Sequence, residues 1–301
     1  MAIVDFHAHW FSRTFFETLA GQSPLPGTAG ERLSALAAKT GIELPPQDDA
    51  AHLARWIGEL DRHGVEHLCA FASVPEEAGV VAQAAAASKG RLSAFALVNP
   101  KAEGAAGRLA GLLEAQRIRG VLLFPAMHHY RIDGAEARGL LEVLDRHAAI
   151  AYVHCGELVV KLRDLLGLPK VQESSFASPA FVAPAAEGFP RAKLVIPHFG
   201  AGMFRETLAA GRRCPNVFVD TSSSNSWAQA AGLSLRAVFE QALEAFGAGR
   251  ILFGTDSTVF PAGWRADRLR EQVAALEACG VPEPDRERIL GGNARGLLGR
   301  R

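Results

Sequence analysis

Eight times along the chain, a short apolar run of strand length gives way to a longer stretch with helical periodicity. No other feature of the sequence narrows the fold as far. The runs cover residues 3–6, 66–71, 92–98, 120–124, 150–153, 193–196, 217–219 and 250–253. The intervening stretches predict helices, as at Leu53, Trp56, Ile57 and Leu60, where apolar residues recur three and four apart until His63-Gly64 ends the pattern. Strand–helix repetition predicts a parallel sheet, because each crossover helix returns the chain to the same edge. Eight units predict an α/β fold of the (β/α)8 TIM-barrel type. An open doubly wound sheet is the competing architecture, but no glycine-rich nucleotide fingerprint follows the first strand.

Two stretches interrupt the alternation. Residues 11–48 mix Gly, Pro and Ser around a helical stretch at 31–39. Residues 156–189 carry a predicted helix at 158–165, then Ser174-Ser175 and Pro179. Both follow strand C-termini, the end where a barrel keeps its active site, and are expected to be lids on one domain spanning 1–301. Residues 285–298 predict short helices packed on the outside.

Of 301 residues, 49% are hydrophobic, enough for one large core, and 32 Lys plus Arg balance 32 Asp plus Glu. That balance argues against nucleic acid or an anionic membrane as partner. The start, MAIVDFHAHW, places Asp5, His7 and His9 within its apolar run, unlike a signal peptide, and no stretch is long and apolar enough to span a membrane. Cys69, Cys155, Cys214 and Cys279 are scattered, so a cytoplasmic location is expected.

The chemistry gathers at strand ends. His7 and His9 are two apart, so on extended backbone both imidazoles project to one side and can reach one ion. Alone, such a pair reads equally as two hydrogen-bonded polar histidines. Its company alters the balance: His154 ends the run 149–153, His198 follows Leu194-Val195-Ile196-Pro197, and Asp256 follows Ile251-Leu252-Phe253-Gly254-Thr255. In a barrel these positions share one rim, where buried His and Asp need a partner or a metal. Arg13 in the first long loop, His128, His129, Tyr130 and Arg131 after strand four, and Trp264 are candidates for substrate binding, each also readable as ordinary loop. Trp10, Phe11 and Phe176 are candidates for an apolar wall. Trp56 reads as packing, and Glu157 either orients a ligand or faces solvent.

These motifs, in order, resemble the amidohydrolase superfamily, specifically the amidohydrolase-2 branch that includes aminocarboxymuconate-semialdehyde decarboxylase and related metal-dependent hydrolases. The carrying residues are Val4-Asp5-Phe6-His7-Ala8-His9, Val153-His154, Ile196-Pro197-His198-Phe199-Gly200, Phe253-Gly254-Thr255-Asp256 and Ile289-Leu290-Gly291-Gly292-Asn293-Ala294. The resemblance implies His7, His9 and His154 as metal ligands, Asp256 as ligand or proton carrier, and His198 as an acid–base or polarising residue. Two-metal members of the family carry a bridging lysine at the end of strand four. Leu122-Leu123-Phe124-Pro125 has none, which implies a single divalent ion, zinc first, with manganese or another transition metal as alternatives.

Three functions fit this set. The first is hydrolysis of a small amide, ester or lactone through metal-activated water, and the second is non-oxidative decarboxylation of an unsaturated or aromatic acid by a carboxy-lyase. The third is a non-catalytic binding protein on the same barrel. The expected partner is a small polar or anionic molecule, and the resemblance implies a homodimer or larger homo-oligomer.

Overall fold

The computed structural model describes residues 2–300 apart from Gln116 and Val159, and residues 224–226 through their backbone only. Its eight strands are β1 (Ile3–His9), β2 (Val65–Phe71), β3 (Leu92–Leu97), β4 (Gly120–Leu123), β5 (Ile150–Val153), β6 (Lys193–Ile196), β7 (Val217–Asp220) and β8 (Ile251–Leu252). Each pairs in parallel with the next. The ring closes between first and last: the Phe6 amide donates to the Phe253 carbonyl at 2.9 Å, and the His9 amide to that of Ser257 at 2.8 Å. The fold is therefore the (β/α)8 barrel that the alternation predicts.

The strands are buried on both faces, which is why they read as near-continuous apolar runs. Side chains of one parity fill the barrel: Phe6, Phe71, Phe95 and Tyr152 interlock there, with Phe71 and Tyr152 ring centroids 4.8 Å apart. The Tyr152 hydroxyl donates to the Phe6 carbonyl at 2.7 Å, so its one polar atom is satisfied inside the core. Side chains of the other parity, such as Leu68, Ala70 and Ala94, pack outward against the helices.

The C-terminal segment differs from the sequence expectation. The helix Glu283–Glu287 lies outside as expected, with no buried residue, whereas the turns Arg288–Gly292 and Asn293–Leu297 bury Ile289, Leu290 and Ala294. Ala294 and Leu298 join the cluster inside the barrel and close its N-terminal end. Asn293 anchors them, its side-chain amide donating to the carbonyls of Ala248 and Ile251 at 2.7 and 2.8 Å.

The excursion at 11–48 contains two helices. Ala29–Thr40 starts at a capping box between Thr28 and Glu31, whereas Arg13–Gln22 was not evident in the sequence. Phe15, Phe16 and Leu19 of the latter, Leu33 and Leu36, and Leu166 and Leu168 of the second excursion form a separate small core. The two excursions therefore pack against one another. Among the described residues no helix is long and apolar enough to cross a membrane.

Candidate metal centre

The local fold of β1 presents the histidine pair. Val4 and Phe6 point into the barrel, so strict alternation would send His7 outward. Pairing with β2 slips between Asp5 and Ala8: three residues of β1 advance against two of β2, from Leu68 to Ala70. That bulge turns His7 and His9 into the barrel mouth together and leaves Ala8 in the outer layer. His7 then rests on the aromatic plug, 4.6 Å from the ring of Phe71. Its ring centroid is 5.4 Å from that of His9.

Beyond β8 the chain passes Gly254 and Thr255 to Asp256. A Cβ on Gly254 would stand 2.8 Å from Cβ of His7, so only glycine lets the two segments approach. Asp256 has a left-handed backbone (φ +59°), and its amide donates to the His7 carbonyl at 2.9 Å. Its Oδ1 lies 3.3 Å from Nε2 of His9 and 3.5 Å from Nε2 of His7. The ligand atoms of these three residues all lie within 4.8 Å of one another. Ser223 donates its hydroxyl to the other oxygen at 2.6 Å. Burial works against the charge, but the His9 hydrogen bond and the nearby His7 and His198 hold the carboxyl well below the usual range.

Asp220, the last residue of β7, is a central residue that the sequence reading missed. Fully buried, it accepts from Nδ1 of His7 at 2.7 Å through one oxygen. Its other oxygen takes the amides of His198 and Ser222, each at 2.9 Å. Because a carboxylate only accepts, Nδ1 of His7 carries the proton and Nε2 keeps its lone pair for a metal. Burial favours a neutral carboxyl, yet the interactions with His7 hold the Asp220 pKa below its ordinary value. For His7 burial opposes charge, and Asp220 outweighs it and raises the pKa. Ser73, just past β2, bonds Nδ1 of His9 at 2.7 Å and orients that ring, its hydroxyl being able to donate or accept. The buried carboxylate of Glu77 fixes that corner by taking the amides of Ser12 and Ser73 at 2.6 and 2.8 Å.

His198 follows β6 in an unusual turn: His198, Phe199 and Ala201 have φ of 56°, 50° and 44°. Left-handed backbone is costly for residues with a Cβ and clusters at functional sites. Nδ1 of His198 meets the Ser222 carbonyl at 3.0 Å, so it carries the proton and leaves the lone pair on Nε2. His154 faces it from β5, with ring centroids 5.4 Å apart. Burial, then the neighbouring His198 and His7, drives the His154 pKa well below that of a free imidazole, which keeps it neutral.

The fit to a divalent ion rests on two observations. Three ligand atoms converge, with Asp220 fixing the tautomer of His7, and Nδ1 of His154 is buried without a hydrogen-bond partner. The residues present therefore suit a metal with nitrogen and oxygen ligands. His7, Asp220 and His198 also cluster, but hydrogen bonds already engage the facing atoms.

The expected substrate contacts fare differently. Tyr130 and Trp264 are nearly fully buried in the outer layer, not at the mouth. Trp264 donates its indole N–H to Asp5 at 2.8 Å, and Asp5 also takes the amides of His7 and Thr255, pinning β1 to the Asp256 turn. Large amphipathic residues after strands read alike in sequence whether they face mouth or wall. Arg13 is paired with Glu17 at 2.9 Å along its helix. His129 bonds the Val171 carbonyl and stacks on Phe176 at 5.6 Å, tying the loop after β4 to the second excursion. His128 is half-buried, its Nδ1 without a partner. Phe11 stacks on His9 at 5.1 Å, Trp10 and Trp56 are core, and Glu157 is exposed.

Fold and rim together define an α/β-barrel enzyme of the metal-dependent kind. An amidohydrolase family model matches residues 4–300, and the chain belongs to that family. A search of curated proteins finds no match. Among solved structures, 5-carboxyvanillate decarboxylase from Sphingomonas paucimobilis is similar at a TM-score of 0.69 and 15% identity, over 100% of this chain and 99% of that one. A zinc-bound amidohydrolase from Burkholderia multivorans aligns at TM-score 0.66 and 18% identity over 100% of both chains. A protein provisionally named 2-pyrone-4,6-dicarboxylic acid hydrolase, from Pseudomonas putida, aligns at 0.62 and 21% over 99% of this chain and 97% of that one.

Proposed function

We propose that the protein is a single-metal hydrolase of a small amide, ester or lactone. His7, His9, His154 and Asp256 hold one divalent ion, zinc first. One observation carries the reading: an ionised carboxylate, Asp256, lies beside the convergent imidazoles with its side chain 24% exposed toward the mouth. A base in that position can take a proton from water. When bound, the ion lowers the pKa of water toward neutrality and polarises a carbonyl oxygen. Asp256 accepts the proton as water attacks and passes it to the leaving nitrogen or oxygen. His198 donates a hydrogen bond to the developing oxyanion or protonates the leaving atom when its Nε2 is protonated. Residues 11–48 and 156–189 act as lids that exclude water, a role supported by their shared apolar cluster beside the mouth. Hydrogen exchange in 156–189 should slow when substrate analogue binds, and unchanged exchange there removes the lid.

Carboxy-lyase activity is the second reading, favoured by the aromatic rings that line the imidazoles: Phe11 on His9, and Phe124 5.4 Å from His154. Such walls suit an aromatic acid, and the structural relatives are named for both reaction types. A substrate panel on the zinc-loaded protein, scoring hydrolysis and carbon dioxide release in the same wells, decides between them. Carbon dioxide release without hydrolysis overturns the first reading. Elemental analysis should find about one ion per chain, as expected of one four-ligand site; two at full occupancy contradict it.

A further inference from the structure

At the opposite end of the barrel, where β3 and β4 begin, the surface folds into a cleft of about 560 Å3. Its floor is apolar, formed by Ala82 and Ala86 of the helix Ala78–Ala87, Ile118, and Leu298 of the C-terminal plug. Arg117, Arg119 and Arg300 line it, and no Asp or Glu does among the described residues. Two acids of the neighbouring segments are engaged elsewhere, Asp61 with Arg91 at 2.7 Å and Glu66 with Arg295 at 3.3 Å, and the exposed Glu114 does not line the cleft. Among the described residues none of the three cleft arginines has an ion pair. In a chain whose 32 basic residues match 32 acidic ones, three guanidiniums around one concavity with no ion pair among the described residues stand out.

Two further observations point to a ligand. Nε of Arg300 is buried without a hydrogen-bond partner, and such a donor is costly until an acceptor reaches it. Beneath the cleft, His67 is buried with Nε2 on the Ser93 hydroxyl at 2.9 Å. Burial, then the charges of Arg300, Arg91 and Arg119, pushes its pKa down to about 4, a mark of the local positive field.

We propose that this cleft binds a small organic phosphate, its dianionic head held by Arg117, Arg119 and Arg300 and its apolar body against the alanine wall. Guanidinium forks match phosphate oxygens, and three of them exceed what one carboxylate neutralises. The site is independent of the reaction at the metal centre. β3 is six residues long, so at about 3.3 Å per residue the two sites are on the order of 20 Å apart. A ligand there would tie the C-terminal plug to the helix Ala78–Ala87 and raise the thermal midpoint.

Calorimetric titration of the zinc-loaded protein with phenyl phosphate tests this, with inorganic phosphate, benzoate and benzyl alcohol in parallel. Saturable binding is expected, tightest for phenyl phosphate and absent for the alcohol. Arg300→Met should weaken it about tenfold, the scale of one lost charge-assisted interaction. The pair Arg117→Glu with Arg119→Glu, both exposed and so compatible with folding, should abolish it. His154→Asn should leave it within twofold. Affinity that survives the Arg117/Arg119 pair, or that falls with His154→Asn, places the anion at the metal centre and overturns the proposal. Absence of saturable binding overturns it too. Equal affinity for benzoate overturns the phosphate assignment.

Discussion

The two halves of the rim are built on different terms. On the side of β1, β7 and β8, outer groups engage the atoms that face away from the site: Asp220 on Nδ1 of His7, Ser73 on Nδ1 of His9, Ser223 on Oδ2 of Asp256. On the side of β4 and β5, His128 and His154 each bury a ring nitrogen that has no partner. A hydrogen-bonded network fixes tautomer and direction before a ligand arrives, whereas an unsatisfied buried nitrogen gains most when one does. On the proposed single-ion reading, the first half is preorganised to hold the metal, and the second is left for the ion's last coordination position and the substrate.

The largest test of that contrast is Asp256→Asn, which keeps an oxygen near the imidazoles and removes the charge. kcat should fall by roughly 10²–10⁴, the range for losing general acid–base catalysis, while metal is partly retained. Near-normal turnover at full occupancy would end the role of Asp256 as proton carrier. Next is Asp220→Asn, where the amide restores shape but can turn a donor toward Nδ1 of His7. Metal affinity should drop roughly 10- to 100-fold, as for other groups that orient ligands, and a competing chelator measures it. An unchanged affinity would make the network decorative and dissolve the contrast.

The smallest effect is expected at His128. Burial, then His129 and Lys101, holds its pKa near 4 against 6.5 for a free imidazole. Between those values the unfolded chain takes up a proton that the folded chain refuses, so stability should decline as pH falls through that window and be insensitive above it. His128→Gln should flatten the slope in part, His67 supplying another share, and should raise KM roughly 2- to 10-fold with kcat little changed, the effect of one hydrogen bond. Denaturation curves at several pH values give the first quantity and steady-state kinetics the second.

Sequence periodicity was enough to read the barrel, because buried parallel strands and amphipathic helices differ in period and length. His7, His9, His154, His198 and Asp256 were visible because a polar residue that ends an apolar run is conspicuous. Asp220 ends a run in the same way, yet it opens Asp220-Thr221-Ser222-Ser223-Ser224-Asn225, which has the composition of a turn. The bulge that aims His7 leaves no trace in composition, since it is a slip of pairing between β1 and β2. The C-terminal plug was misplaced because short apolar helices look the same on a barrel's flank as beneath its floor.

Closure of the ring between β1 and β8 also bears on how the protein is made. His7 lies on the first strand of the ring and its partner Asp256 just past the eighth, so the site straddles the seam where the ring closes. At roughly 5–20 residues per second, β1 waits on the order of 10–50 s on the ribosome before β8 exists to receive it. Through that interval Phe6 and its neighbours form an unpaired, apolar strand edge, the kind of surface that chaperones cover. The proposed metal site thus comes into being only when the ring is sealed, and its affinity for an ion would report on that closure.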